Sequence, residues 1–142
     1  MTYRRTWRQN RRGIAEGFRS GLELDVAAFL TEGGYSFAYE PQDKKIRYRV
    51  PEQYKYYLPD FVAPNGVIIE CKGLFTSADR KKQLLIREAG AEVRFLFNNP
   101  LQKIGKKSAT TYGMWCDKHG FIYARFEPDQ PIPQAWLDEL WV

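Results

Sequence analysis

The sequence predicts an α/β domain, and three observations lead to that prediction. The 142 residues are 44% hydrophobic and 15% aromatic, a composition that suits one compact domain with a sizeable core. The apolar patterns follow one another in the order helix, strands, helix, strand, helix. The chain has no internal repeat and no low-complexity linker, so we expect a single folded domain from residue 18 to residue 142.

Residues 1–17 form a basic segment that we expect to be a flexible arm. Five arginines precede the first acidic residue, Glu16, whereas the remaining 17 basic residues equal the 17 acidic ones in number. We favour contact with DNA or RNA phosphates over a tail that only adds solubility. Arg11, Arg12 and the neighbouring Arg19 are the candidate contacts.

The sequence argues against several other classes of protein. No apolar stretch has the length of a membrane span, and the basic start lacks the apolar segment of a secretion signal. Cys71 and Cys116 have neither metal-ligand spacing nor a disulfide framework, so we predict two buried, reduced thiols. We therefore expect a soluble, cytoplasmic protein that makes no membrane contact.

The first helix is predicted to begin at Ser20-Gly21-Leu22-Glu23, which has the pattern of a capping box. Its apolar stripe contains Leu22, Val26, Phe29 and Leu30, and Gly33-Gly34 ends it. The sequence alone favours a capping role for Glu23, whose side chain would reach back to the Ser20 amide. Glu23 also flanks the buried stripe, so its side chain could instead turn toward acids that follow in the chain.

Two half-buried strands are predicted next, at Tyr35 to Glu40 and at Ile46 to Val50, because apolar and polar residues alternate there. The segment from Pro51 to Pro59 is rich in tyrosine and bounded by prolines. That composition favours an edge strand or an extended connection. The segment is also a candidate bridge between subunits.

Residues 60–72 predict a β-hairpin. Two short apolar strands flank Pro64-Asn65-Gly66, in which proline presets φ and glycine accepts the left-handed position. If the loop has three residues and closes at Gly66, the register of the strands places Asp60 opposite Glu70.

Two carboxylates in this arrangement indicate a metal site. Cross-strand Cβ atoms are about 5 Å apart and like charges there are destabilising, so the pair stabilises a sheet only if a cation lies between them. Alternate residues of a strand point to the same face of the sheet, so the side chain of Lys72 is expected on the same face as that of Glu70. The alternative is that Glu70 and Lys72 are ordinary solvent-facing residues and that Asp60 belongs only to a turn; we favour the metal site.

Two basic elements follow the hairpin. A helix is predicted from about Ala78 to Ala89, with its N-terminus near the metal site, where the helix dipole favours anions. Beyond a core strand at Val93 to Phe97, a basic loop precedes a capped segment from Thr110 to His119. The candidate phosphate contacts, which could also be a solvated basic surface, are Arg80, Lys81, Lys82, Arg87, Lys103, Lys106 and Lys107.

Longer strings of the sequence, from about Phe18 to Leu137, resemble the phage endonucleases I, Holliday-junction-resolving enzymes of the PD-(D/E)xK nuclease class. The strings are Phe18-Arg19-Ser20-Gly21-Leu22-Glu23, Pro59-Asp60-Phe61, Pro64-Asn65-Gly66, Glu70-Cys71-Lys72-Gly73-Leu74, Asp79-Arg80-Lys81-Lys82, Leu84-Leu85-Ile86-Arg87-Glu88, Thr111-Tyr112-Gly113 and Lys118-His119-Gly120. Several of these strings have no general structural explanation, so the resemblance is specific.

The resemblance implies a restriction-endonuclease-like fold, in which helices flank a central mixed sheet, and an intertwined, domain-swapped homodimer. Segment 51–59 would cross between the subunits. Each active site would then take Glu23 from one chain, and Asp60, Glu70 and Lys72 from the other. These four residues form the implied catalytic set.

The resemblance also implies the reaction, the cofactor and the substrate. The enzyme would resolve four-way junctions and other branched DNA by paired nicks that leave 5′-phosphates. Two Mg²⁺ ions per site, replaceable by Mn²⁺, would be held by Asp60, Glu70 and the Cys71 carbonyl, with Glu23 supporting the second ion. A further glutamate of the family aligns with Ala38, and Glu40 is the candidate substitute.

Two other functions remain open at this stage. One is a repair or restriction-type nuclease of the same class that acts on linear duplex DNA. The other is a DNA-binding protein without catalytic activity.

Overall fold

The computed structural model describes residues 20–50 and 53–142. The N-terminal arm, including Arg11 and Arg12, and Arg19 lie outside these residues. The described helices and strands are α1 (Gly21–Glu32), β1 (Ala38–Tyr39), a short 3₁₀ helix (Gln42–Lys44), β2 (Ile46–Val50), β3 (Gln53–Tyr57), β4 (Phe61–Val62), β5 (Ile68–Lys72), α2 (Ser77–Glu88), β6 (Val93–Phe97), α3 (Tyr112–His119), β7 (Ile122–Arg125) and α4 (Gln134–Leu140).

The main sheet has five strands in the order β1-β4-β5-β6-β7. Strands β1, β4 and β5 pair antiparallel, whereas β5, β6 and β7 pair parallel. Each parallel pair is joined through a helix, α2 or α3, because parallel neighbours need a crossover connection. The described chain is therefore a mixed α/β fold with a central mixed sheet flanked by helices, as predicted.

Strands β2 and β3 form a separate antiparallel pair, which we call the β2–β3 ribbon. The ribbon contacts α2. The edge strand predicted within residues 51–59 is thus present at Gln53–Tyr57, and it pairs with β2 of the same chain. The crossing of this segment between two subunits stays a prediction.

The side chains of the central strands alternate between two apolar clusters, one on each side of the sheet. Val62, Ile68 and Phe95 belong to one cluster, together with residues of α2 and α3. Their neighbours along the strands belong to the other cluster, together with residues of α1 and α4. All five residues of β6 are buried, as expected for a strand in the middle of a sheet.

Some element boundaries differ from those predicted. Strand β1 covers only Ala38–Tyr39 of the predicted Tyr35 to Glu40. It ends at Tyr39 because Glu40 has a φ of 42° and cannot continue an extended strand. The sequence analysis missed β7 and α4, which are short. Within residues 20–50 and 53–142, no helix is long and apolar enough to cross a membrane.

Candidate active site

The turn of the β4–β5 hairpin has the predicted geometry. The Ala63 N–H donates to the Val67 carbonyl at 2.9 Å, and the Gly66 N–H donates to the Ala63 carbonyl at 2.9 Å. Gly66 has a φ of 93°, a conformation that side chains with a Cβ rarely adopt. The loop therefore has three residues and closes at Gly66, which fixes the register of the two strands.

Asp60 and Glu70 lie opposite each other at the open end of this hairpin. The last pair of the ladder is Phe61 with Ile69, so the next residues on each strand face one another. The Asp60 N–H donates to Glu70 Oε2 at 3.2 Å, and the Cys71 N–H donates to Asp60 Oδ2 at 3.0 Å. Both acids are buried, with 4% and 6% of their surface exposed. Each carboxylate is thus held by a backbone N–H of the opposite strand.

Lys72 lies beside the paired acids, as its place in β5 predicts. Its Nζ is 3.8 Å from Glu70 Oε1 and 3.7 Å from Asp79 Oδ1. Asp79 is fixed by a capping box at the start of α2, in which it accepts from the Thr76 N–H and the Thr76 hydroxyl accepts from the Asp79 N–H, each at 3.1 Å. The helix cap therefore supplies a second carboxylate that positions the lysine.

Glu23 comes to the hairpin acids from the first turn of α1. The Ser20 hydroxyl caps this helix by accepting from the Glu23 N–H at 3.1 Å, which is one half of the predicted capping box. The buried Glu23 carboxylate accepts a hydrogen bond from the Tyr39 hydroxyl. One carboxylate oxygen each of Glu23, Glu40 and Asp60 lies within 4.8 Å of the other two. A single chain thus brings the helix acid to the hairpin, and the predicted exchange of Glu23 between chains stays a prediction.

Glu40, the candidate substitute for the family glutamate, belongs to this cluster through its backbone as well as its side chain. Its N–H donates to the Asp60 carbonyl at 3.0 Å, just beyond the pairing of β1 with β4. Its left-handed φ turns the chain immediately after β1. The Glu40 side chain therefore meets Asp60 and Glu23 rather than continuing along the strand.

The acids strongly affect one another's protonation. Burial, followed by the charges of Glu70 and Glu23, raises the pKa of Asp60 from 3.8 to about 8. Burial also raises the pKa of Glu70, although Lys72 and hydrogen bonds from Tyr57 and the Asp60 amide act in the opposite direction. Without a cation, the site therefore retains a proton at neutral pH. Hard oxygen donors of this kind are the ligands that Mg²⁺ prefers, so the residues fit the predicted metal.

Two tyrosines that the sequence analysis did not select hold the site acids. The Tyr39 hydroxyl donates to Glu23, and the Tyr57 hydroxyl donates to Glu70 Oε2. Tyr57 is the one buried residue of β3. Burial, and next the charge of Glu70, raises the pKa of the Tyr57 phenol well above its usual value, so the hydroxyl remains a donor. The tyrosine-rich composition of residues 51–59 was the available signal.

The basic residues predicted on α2 make contacts within the chain. Arg80 donates to the Phe75 carbonyl at 2.7 Å, and Arg87 donates to the His119 carbonyl. The Lys82 Nζ lies 5.3 Å from the centre of the Tyr57 ring. Lys81 is exposed. These contacts fix the helix against its neighbours, and the predicted contacts with DNA remain to be tested.

The basic loop lies close to the start of α2. Lys103, Lys106 and Lys107 are all exposed. The first two line a cleft of about 530 Å³, which Phe75 and Thr76 also line. The loop therefore lies beside residues that follow Lys72 in the chain, and its predicted contact with phosphates stays a prediction. Cys71 and Cys116 are both free thiols, as predicted; Cys116 is buried, whereas Cys71 is half-buried, so the prediction of two buried thiols is wrong for Cys71.

Two phage nucleases are among the known proteins to which the chain is similar. Endodeoxyribonuclease 1 of Enterobacteria phage T3 is 47% identical to the chain over 124 residues, which cover 86% of this chain and 78% of the relative. Endonuclease I of Escherichia phage T7 is 44% identical over 124 residues, which cover 86% of this chain and 79% of the relative.

Together with these relatives, the mixed sheet and the cluster of acids with a lysine define an α/β nuclease. The sequence model of the family described as phage endonuclease I matches residues 2–142. The chain belongs to the phage endonuclease I family.

Proposed function

We propose that the protein is a structure-selective DNA endonuclease that resolves four-way junctions and other branched DNA by paired, metal-dependent nicks. The observation that carries this proposal is the convergence of Glu23, Asp60, Glu70 and Lys72 in one buried, acidic site. The names of the two relatives, an endodeoxyribonuclease and an endonuclease, support DNA as the substrate.

We propose that the oxygen ligands of the site hold two Mg²⁺ ions, which Mn²⁺ could replace. Asp60, Glu70 and the Cys71 carbonyl would hold the first ion, whereas Glu23 and Glu40 would join Asp60 in holding the second. Bound metal would acidify the attacking water and neutralise charge on the leaving oxygen. The protein's own part is to keep the carboxylates of Glu23, Asp60 and Glu70 converging and only 4–6% exposed, so that little reorganisation is needed when the substrate binds.

Lys72 is the residue best placed to contact the phosphate. Its side chain is 19% exposed, whereas Asp60 and Glu70 are more deeply buried, so the ammonium lies between these acids and the solvent. Glu70 and Asp79 hold it from two sides and limit its rotamers. We propose that Lys72 donates a hydrogen bond to a phosphate oxygen and stabilises the negative charge that develops there.

The junction substrate requires a dimer. Resolving a four-way junction needs two nicks on opposed strands, and a two-fold homodimer supplies two sites related by the same symmetry. We propose that segment 51–59 crosses between the subunits. Basic surfaces, including Lys81 and the Lys103–Lys107 loop, would contact phosphates of the arms, so that the enzyme selects shape rather than sequence.

Cleavage of matched DNAs tests the proposal. A labelled four-way junction and a linear duplex of the same sequences are incubated with the protein in Mg²⁺ or in EDTA. We expect cutting of the junction in Mg²⁺ only, and loss of cutting in Glu70→Gln with junction binding retained. Glu88→Gln, at an exposed glutamate near the end of α2, is the matched control and should cut normally. Equal cutting of both DNAs would favour a repair or restriction-type nuclease, and binding without cutting would indicate a non-catalytic protein.

A mixed dimer tests the exchange of Glu23 between chains. Glu23→Gln chains and Glu70→Gln chains are co-expressed with different tags, and the mixed dimers are purified. If each site combines residues of both chains, one of the two sites carries both changes and the other is intact, so junctions are nicked on one strand. If each site is built from a single chain, both sites are damaged and the mixed dimer is inactive.

A further inference from the structure

We propose that Tyr57 is a positioning residue for Glu70, and that its hydroxyl holds one oxygen of the carboxylate so that the other oxygen faces the cation. This inference rests on the proposed function, because it assigns the ribbon residue a part in metal binding at the same site. It adds a residue from β3, outside the hairpin and α1, to the groups that shape the site.

The contacts of Glu70 divide between its two oxygens. Oε2 accepts from the Tyr57 hydroxyl and, at 3.2 Å, from the Asp60 N–H. Oε1 lies 3.8 Å from the Lys72 Nζ. Both neutral donors therefore hydrogen-bond to Oε2, whereas Oε1 faces the charged Lys72 ammonium. A carboxylate held in this way cannot rotate to present the other oxygen without breaking two hydrogen bonds.

The position of Tyr57 in the ribbon is what allows this contact. The other four residues of β3 are exposed, whereas only 2% of the Tyr57 surface is accessible. A phenylalanine would fill the same space in the core, so packing alone does not account for the hydroxyl group. A buried hydroxyl is costly without a hydrogen-bond partner, and the partner of Tyr57 is a carboxylate of the proposed metal site.

Gln83 extends the arrangement to α2. Only 1% of the Gln83 surface is accessible, and its side chain lowers the pKa of the Tyr57 phenol, as a hydrogen-bond donor would, although burial and the Glu70 charge raise that pKa more strongly. Among the described residues, the other polar atom of its side chain, Oε1, has no hydrogen-bond partner. An amide that donates to the Tyr57 oxygen leaves the hydroxyl proton to point at Glu70. Gln83 of α2 and Tyr57 of the ribbon are both buried, and Tyr57 in turn holds Glu70 of the hairpin.

Direct metal binding tests the role of Tyr57 independently of catalysis. The variant is Tyr57→Phe, which removes only the hydroxyl, and the readout is the titration of the protein with Mn²⁺, with free Mn²⁺ followed by its EPR signal. Groups that orient metal ligands typically contribute 10- to 100-fold to metal affinity, so we expect the Mn²⁺ dissociation constant to rise by about that factor. The Mg²⁺ concentration for half-maximal junction cleavage should rise in parallel, with the melting temperature in EDTA little changed.

Tyr48→Phe is the matched control. Tyr48 is a buried tyrosine of the same ribbon, 6% exposed, and in the part of the chain that the structure describes no hydrogen bond joins it to the site acids. The Tyr48→Phe variant should have the wild-type dissociation constant for Mn²⁺ and the wild-type Mg²⁺ concentration for half-maximal cleavage. An equal weakening in both variants would show that any change in the ribbon disturbs the site, and would overturn the specific role of Tyr57.

If Tyr57→Phe also lowers stability, a double-mutant cycle separates that effect from the loss of the hydrogen bond to Glu70. Gln83→Met should weaken Mn²⁺ binding by a smaller factor than Tyr57→Phe, and it should have no further effect in the Tyr57→Phe background, because both changes act through one hydroxyl. Independent, multiplicative effects would overturn the proposal. Wild-type protein that binds Mn²⁺ and cuts DNA, with a Tyr57→Phe variant that binds equally well, would also overturn it. Wild-type protein that neither binds metal nor cuts would instead reject the proposed function.

Discussion

The backbone N–H of Asp60 donates to Glu70 Oε2, so the two central acids are joined by the hairpin itself. A reciprocal bond runs from the Cys71 N–H to Asp60 Oδ2. A shift of one residue in the pairing would turn one acid to the opposite face of the sheet. The turn that closes at Gly66 therefore has a functional consequence, since it fixes the register on which the acidic site depends.

Metal binding should strengthen as the pH rises toward 8. The pKa of Asp60 is raised to about 8, mainly by burial, so a proton occupies the empty site at neutral pH and must leave when Mg²⁺ binds. We expect the apparent dissociation constant to fall about tenfold for each pH unit between 6 and 8, and to level off above that range. Isothermal titration calorimetry in buffers of different ionisation enthalpy measures both the affinity and the number of protons released. An affinity that does not change with pH would contradict this prediction.

The metal-free protein should lose stability over a related pH range. The pKa of Asp60 in the folded state, about 8, lies above the reference value of 3.8, so the folded state binds this proton more tightly than the unfolded state does. The free energy of unfolding in EDTA should therefore decrease as the pH rises from about 4 to 8, where the unfolded chain has already released the proton. Asp60→Asn should reduce this decrease, as measured by urea denaturation at pH 5 and pH 8.

Added Mg²⁺ provides the control for that experiment. At pH 8 we expect Mg²⁺ to stabilise the wild-type protein, because it binds the folded state only, and to have little effect on Asp60→Asn. The same loss of stability with pH in both proteins would assign the effect to other groups.

The hairpin could be predicted from sequence because its geometry is decided locally. Proline, asparagine and glycine at 64–66 specify the turn, the turn specifies the register, and the register places Asp60 opposite Glu70. The capping contact between Ser20 and the Glu23 amide could be predicted for the same reason.

The rest of the site depends on contacts between elements that lie far apart in sequence. The local pattern of α1 favoured a capping role for Glu23 and left its turn toward the later acids open, so the family resemblance was needed to place its carboxylate beside Asp60. Four tyrosines occur in the ribbon, and the alternation along the strands does not show which of them reaches Glu70. Helix α4 has seven residues and no side-chain cap, and Arg94 anchors it through a bidentate pair with Glu139, from 45 residues away.

The ion pair between Asp79 and Lys72 should contribute to catalysis separately from the helix cap. Asp79→Asn keeps an oxygen that can accept from the Thr76 N–H but removes the charge 3.7 Å from the Lys72 Nζ. We expect kcat for junction cleavage to fall about tenfold, with KM and the melting temperature close to wild type, because the lysine would be less well held. Single-turnover cleavage measured over a range of DNA concentrations separates the two constants.

Thr76→Ala is the converse change. It removes the hydroxyl that accepts from the Asp79 N–H and leaves the Asp79 charge in place. Loss of an N-cap typically costs about 1 kcal/mol, so this variant should be less stable while retaining its kcat. If Thr76→Ala lowers kcat as much as Asp79→Asn does, the effect comes from the helix rather than from the ion pair.

Glu40 should act as a metal ligand in the place that the family glutamate would occupy. Its carboxylate lies within 4.8 Å of oxygens of Glu23 and Asp60, and its backbone bond to Asp60 keeps it there. Glu40→Gln preserves the size of the side chain and removes its charge. We expect the Mg²⁺ concentration for half-maximal cleavage to rise by at least about tenfold, with junction binding in EDTA unchanged.

A compensating change makes this last prediction sharper. Ala38 lies two residues before Glu40 and pairs with Val62, so a glutamate at position 38 would start from the strand that leads into the same cluster. We expect Ala38→Glu to restore much of the Mg²⁺ affinity that Glu40→Gln loses, whereas Ala38→Gln, which has the same size but no charge, should restore none. Glu32→Gln, at an exposed position at the end of α1, controls for a general loss of negative charge. If Glu40→Gln has the Mg²⁺ dependence of the wild type, the second ion is held without Glu40, and Glu23 and Asp60 are its only ligands among the three clustered acids.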